Sequence, residues 1–166
     1  MPRSSVARAD SLTPAPRDTK LSPHFTLAEF LKSETANARN IENTVANDEH
    51  MANLYTTASI MELVRAKLGN KPILVTSGYR CPELNAAVGG VPDSQHALGQ
   101  ACDFVCPQYG TPLEIAAAIS QSTVPFDQLI YEKQGDSRWV HISQRPNPRR
   151  QVLTLHKGQY VPGIVA

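Results

Sequence analysis

The sequence predicts an α+β domain in which a small antiparallel sheet carries the functional site and packs with helices. Apolar residues recur at helical spacing over much of residues 26–119, while β-prone runs around a Gly-containing turn dominate residues 126–155. No self-similarity appears at periods of about 20 to 50 residues, which sets aside a solenoid or propeller. A chain of 166 residues is long enough to bury its own core as one domain.

Composition narrows the function classes. Hydrophobic residues make up 41% and charged residues 19%, the balance of an ordinary globular protein. The formal net charge is +1, so bulk electrostatics give no reason to expect nucleic acid or an acidic membrane as the main partner. Cys81, Cys102 and Cys106 are an odd number at no framework spacing and read as buried, reduced thiols. No apolar run is long enough to span a bilayer, and the first twenty residues lack the apolar region of a signal peptide. Synthesis in the cytoplasm without membrane insertion is the expectation.

Residues 1–22 are rich in Pro, Ser, Thr, Arg and Asp and bury too little to offset their ordering entropy. They read as a flexible arm, either a bland tail or a segment that docks on a partner, with the folded domain over 23–166. Thr26 with Glu29 three residues on forms a capping box for a short helix through Leu27, Phe30 and Leu31. Residues 33–46 are polar and Asn-rich and read as a connecting loop. Asn47 or Asp48 caps a longer helix whose inner face is Met51, Leu54, Tyr55, Ala58, Met61, Val64 and Leu68, stopped by Gly69-Asn70.

Pro72 opens a strand over 73–76 that runs into Ser77-Gly78-Tyr79-Arg80. Pro82 suits the first turn of a helix that buries Leu84, Ala87 and Val88 and stops at Gly89-Gly90. After a polar loop over 91–99, residues 101–105 read as a strand and 113–119 as a helix capped by Thr111. Runs 126–132 and 137–143 flank Lys133-Gln134-Gly135-Asp136 as a hairpin, and 152–155 adds a further strand.

The candidate chemistry lies in 77–103 and in Trp139-Val140-His141-Ile142-Ser143. Strand alternation puts Asp103 on one face and Cys102 and Phe104 on the other, and a carboxylate on so apolar a strand is costly to bury unless paired or metal-bound. His141 sits in the same way between Val140 and Ile142, and His96 precedes Asp103 by one small-residue turn. Two imidazoles and one carboxylate leave a fourth tetrahedral position open, as a catalytic Zn2+ requires. Metal-assisted hydrolysis is the reaction class implied.

The string Ser94-Gln95-His96-Ala97-Leu98-Gly99-Gln100-Ala101-Cys102-Asp103 resembles the SxHxxGxAxD motif of the M15 zinc peptidases, the D-alanyl-D-alanine carboxypeptidases and related peptidoglycan endopeptidases. Thr76-Ser77-Gly78-Tyr79-Arg80 is similar to that family's arginine-bearing strand end, and WVHIS to its closing metal-histidine motif. The small phage and prophage members also begin with a segment like His24-Phe25-Thr26-Leu27-Ala28-Glu29-Phe30, so the resemblance runs over about 22–145. It implies a hedgehog/DD-peptidase-like fold.

Carried over by position, the resemblance implies zinc bound by His96, Asp103 and His141, with Arg80 beside the scissile carbonyl or substrate carboxylate. Ser94 either donates to the substrate carboxylate or caps its own turn. Many relatives carry an acid three positions before the last metal histidine, where this chain has Arg138. Another branch, which includes the hedgehog signalling domain, places it after a Tyr at the end of the preceding strand, as in Tyr131-Glu132. Glu132 is therefore the expected general base, with a bulge or strong twist needed to bring it to His141, and Asp136 is the fallback. Trp139 stands where some relatives have a second His.

The basic cluster Arg145, Arg149, Arg150, His156 and Lys157 reads as a solvated face or a contact to an anionic wall polymer. The implied activity is hydrolysis of peptidoglycan stem peptides, as a D,D- or L,D-carboxypeptidase or endopeptidase of endolysin type. Such an enzyme reaches the wall through a membrane pore or as a virion component. The competing expectation is a non-catalytic virion module that keeps the fold and docks through residues 1–22.

Overall fold

Most of the helices start where a side chain satisfies a free backbone N–H. In the computed structural model, which describes residues 13–166, Glu29 accepts from the Thr26 backbone N–H at 2.7 Å and opens α1 (Leu27–Leu31). α3 (Asp48–Lys67) begins at Asn47, whose side chain accepts from the His50 N–H at 2.8 Å, and α5 (Pro112–Ser120) begins at Thr111, which accepts from Glu114 at 3.2 Å. α4 (Pro82–Ala87) carries Pro at its first position, where no N–H is needed.

Several local expectations are corrected. The connecting loop expected over 33–46 contains a helix, α2 (Glu34–Arg39): Ser33 caps it by accepting from Ala36 at 3.1 Å, and Ala36 is buried. Tyr55 is 42% exposed, because it follows Leu54 by one residue and is turned about 100° from that buried position. Val88 is exposed at the end of α4, and the buried partner of Leu84 is the polar Asn85. The arm expected over 1–22 has a folded C-terminal end. Lys20–Ser22 (β1) pairs with Phe25–Thr26 (β2), Leu21 is buried, and Thr19 and Arg17 carbonyls accept from Leu27 and Ala28. Residues 1–12 of that arm lie outside the described residues.

The main sheet has six strands in the order β3-β4-β6-β5-β7-β8: β3 (Leu74–Ser77), β4 (Ala101–Val105), β5 (Gln128–Gln134), β6 (Ser137–Ser143), β7 (Gln151–His156) and β8 (Gln159–Pro162). It is mixed rather than purely antiparallel. After β6 the chain turns back and lands on the far side of β5, so β7 runs parallel to β5 while every other pair is antiparallel. Asp127 fixes that crossover: its fully buried carboxylate accepts from Arg149 Nη2 at 2.8 Å and from Arg149 Nε at 3.0 Å. Those bonds hold the Asp127 carboxyl down at about 2 against the upward pull of burial.

Strand alternation divides the sheet. Cys102, Phe104, Leu129, Tyr131, Val140 and Ile142 face the core that also holds Leu54, Met61, Ile115 and Ile119 from α3 and α5. The intervening residues Asp103, Ile130, Glu132 and His141 therefore share the opposite face.

Candidate metal centre

Asp103 and His141 sit directly opposite each other on β4 and β6, and His141 Nδ1 lies 2.8 Å from Asp103 Oδ1. His96 joins them from a 3-10 turn, Gln95–Leu98. That turn needs Gly99 in the left-handed region (φ 77°), and a Cβ there would meet the His50 carbonyl at 2.7 Å, so the step into β4 accepts no side chain. His96 Nδ1 donates to the Gly78 carbonyl at 2.7 Å, which turns Nε2 toward Asp103 Oδ1 at 3.3 Å.

The three side chains are buried, and their donor atoms lie within 4.8 Å of one another. Burial pushes the Asp103 carboxyl up, but the His96 charge and the hydrogen bonds from His141 and His96 outweigh it and hold the group well below the usual carboxylate range. Zinc–ligand bonds of about 2.0–2.1 Å at tetrahedral angles put donor atoms about 3.3 Å apart. The observed separations from Asp103 Oδ1, 3.3 and 2.8 Å, and the mixed nitrogen and carboxylate donor set fit such an ion.

Glu132 completes the polar group from β5, with Oε1 3.9 Å from His141 Nδ1. Of the bulge or strong twist expected to deliver it, no bulge is present. β5 and β6 pair without a register break, Ile130 opposite His141 and Glu132 opposite Trp139, so Glu132 and His141 are diagonal neighbours on one face. Burial and the Asp103 charge raise the Glu132 carboxyl to about 7, against the lowering influence of His141 and Arg80. Asp136 sits exposed in the hairpin turn and does not border the site.

These residues line a cavity of about 820 Å³ that also takes in Arg80, Ser94, Trp139 and Tyr160. Arg80 donates to Asn85 Oδ1 at 3.2 Å; burial lowers its pKa while Asp103 and Glu132 raise it. Ser94 makes no side-chain cap hydrogen bond to its own turn. The Trp139 indole N–H is near enough to Glu132 to lower that carboxyl slightly, yet it is buried without a partner in hydrogen-bond geometry. Of the basic cluster, Arg145 and Arg149 reach the cavity, whereas Arg150 donates to the Val124 and Ser122 carbonyls. All three cysteines are free and buried, outside the metal-donor group.

Residues 23–143 match the Peptidase M15 family. The chain belongs to that family. The match ends at the last residue of β6, so β7 and β8, which bring Leu155 and Tyr160 to the cavity of this M15 chain, lie beyond it. A curated relative, the zinc D-Ala-D-Ala carboxypeptidase of Streptomyces albus G, is 38% identical over 53 residues. The alignment covers 32% of this chain and 21% of that relative, so the M15 chain spans about a fifth of its length. Tyr160 is a site residue the sequence reading missed. Its short, wholly exposed strand has no apolar alternation to draw attention to it.

Proposed function

We propose that the protein is a zinc peptidase that hydrolyses the peptide of bacterial peptidoglycan, as a D,D- or L,D-carboxypeptidase or endopeptidase. One observation supports this above the rest: His96, Asp103 and His141 converge in a single cavity with Glu132 and Arg80. A structural zinc site would close around its metal with four protein ligands, whereas the donor group here has three. Zinc held by these donors supplies positive charge that polarises the scissile carbonyl and acidifies water.

The chain's own groups do the rest. Glu132 takes the proton of the attacking water and returns it to the leaving amine; its raised pKa suits both transfers near neutrality. Arg80 offers a fixed guanidinium to the oxygen on which negative charge develops. Ser94 is a further donor available to the substrate. The site of action is the cell wall, reached from the cytoplasm through a membrane pore or carried by a virion.

Digestion of purified cell wall tests this. Zinc-loaded protein releases soluble muropeptides, and Glu132→Gln lowers the rate by about 10²- to 10⁴-fold while keeping the metal. Wild-type protein that holds zinc and leaves peptidoglycan intact sinks the enzymatic reading and favours a non-catalytic wall or virion module.

A further inference from the structure

A second cavity, of about 680 Å³, shares Arg80 with the metal-site cavity. Its wall includes the five successive residues 73–77. Side chains along a strand alternate between faces, so five neighbours border one space only where the backbone edge itself faces it. That edge is open. β3 is the terminal strand of the six-stranded sheet, paired with β4 alone, and among the described residues no other backbone hydrogen bond reaches 73–77. The opposite wall is Glu29 of α1 and the stretch 32–35 that enters α2.

We infer that this groove is a peptide-binding subsite: an extended stretch of the substrate adds as a short strand along β3 and passes Arg80 into the metal cavity. The inference rests on the peptidase reading above. Unpaired N–H and C=O groups alternate along the edge, and a peptide backbone matches that period where a sugar chain does not. At about 3.3 Å per residue the four residues of β3 offer roughly 13 Å of edge, the length of three to four docked residues. Exposed Leu74 and Val88 provide apolar contact for the side chains of the bound segment. Arg80, common to both cavities, marks where the segment turns toward the metal ligands.

The test compares N-acetyl-D-Ala-D-Ala with a synthetic stem pentapeptide, using zinc-loaded wild type and Thr35→Trp, which fills the groove from the wall facing β3. Wild type is expected to favour the pentapeptide by about tenfold or more in kcat/KM. Thr35→Trp is expected to lose that preference while its dipeptide rate stays unchanged. In parallel, the backbone amide signals of residues 74–77 in zinc-loaded Glu132→Gln should shift on addition of the pentapeptide. Equal rates for the two substrates with unmoved amides overturn the subsite. If neither substrate is cleaved, the D,D-carboxypeptidase form of the peptidase reading fails; shifted amides then still establish the groove as a peptide site, and unmoved amides overturn the subsite.

Discussion

Arg80 and Asp127 both carry charge into poorly solvated places, and the consequences differ. The Arg80 guanidinium is planar and forked, so Arg80→Lys keeps the charge but loses the fixed geometry toward a developing oxyanion. A fall in kcat of about 10²-fold with little change in zinc content is expected, read by muropeptide release beside metal analysis. Asp127 governs stability instead. Its carboxyl titrates near 3.8 when unfolded and about 2 when folded, so its contribution is complete above pH 3.8 and is lost as pH falls through about 2. Asp127→Asn should be less stable at neutral pH and lose less of its remaining stability on acidification, as followed by denaturant midpoints between pH 2 and 7.

At the scale of elements, the site depends on one close approach between α1 and Gly78, the residue that follows β3. A Cβ added at Gly78 would lie 2.6 Å from the Phe30 carbonyl oxygen and 2.8 Å from Phe30 Cα, while the Gly78 carbonyl holds His96 Nδ1 at 2.7 Å. Gly78→Ala is therefore expected to cost about 1–3 kcal/mol in stability and, by tilting His96, to weaken zinc binding by about 10- to 100-fold. Chemical denaturation and competition with a chelator read the two effects separately.

The same elements explain what could be read from sequence. His96 and Asp103 were legible because a short turn feeds a strand whose alternation sets Asp103 apart from Cys102 and Phe104. Glu132 was legible as a residue, but its path to His141 was not, because residues diagonal across a hairpin are near in space and distant in chain order. α2 was hidden by its Asn-rich composition, which masked the single cap at Ser33. The parallel placement of β7 was beyond reach, since nothing in residues 144–156 states on which side of β5 the chain will land.

For the whole molecule, metal and fold are linked by mass action. The three donors come from separate strands and a turn and are assembled only in the native state, so zinc binds folded protein in preference to unfolded. Free zinc at about 100 times its Kd should add about 2.7 kcal/mol of stability. For a domain of this size that corresponds to a rise in Tm of about 5–10 °C, reversed by a chelator and measurable by calorimetry. His96→Ala should abolish most of the rise.

The strand order also divides the site into a local part and a long-range part. The β5–β6 hairpin turns over two residues, Gly135 and Asp136, so a local pairing brings Glu132 to His141. Asp103 reaches His141 only when β4 docks on β6 across 38 positions of chain, and β7 pairs on the other flank of β5. Glu132 and His141 therefore become neighbours through the hairpin alone, whereas the set of three metal donors also needs β4 on β6. The candidate metal site thus depends on long-range pairing, and any change that loosens β4 from β6 would part Asp103 from His141 while leaving Glu132 beside it.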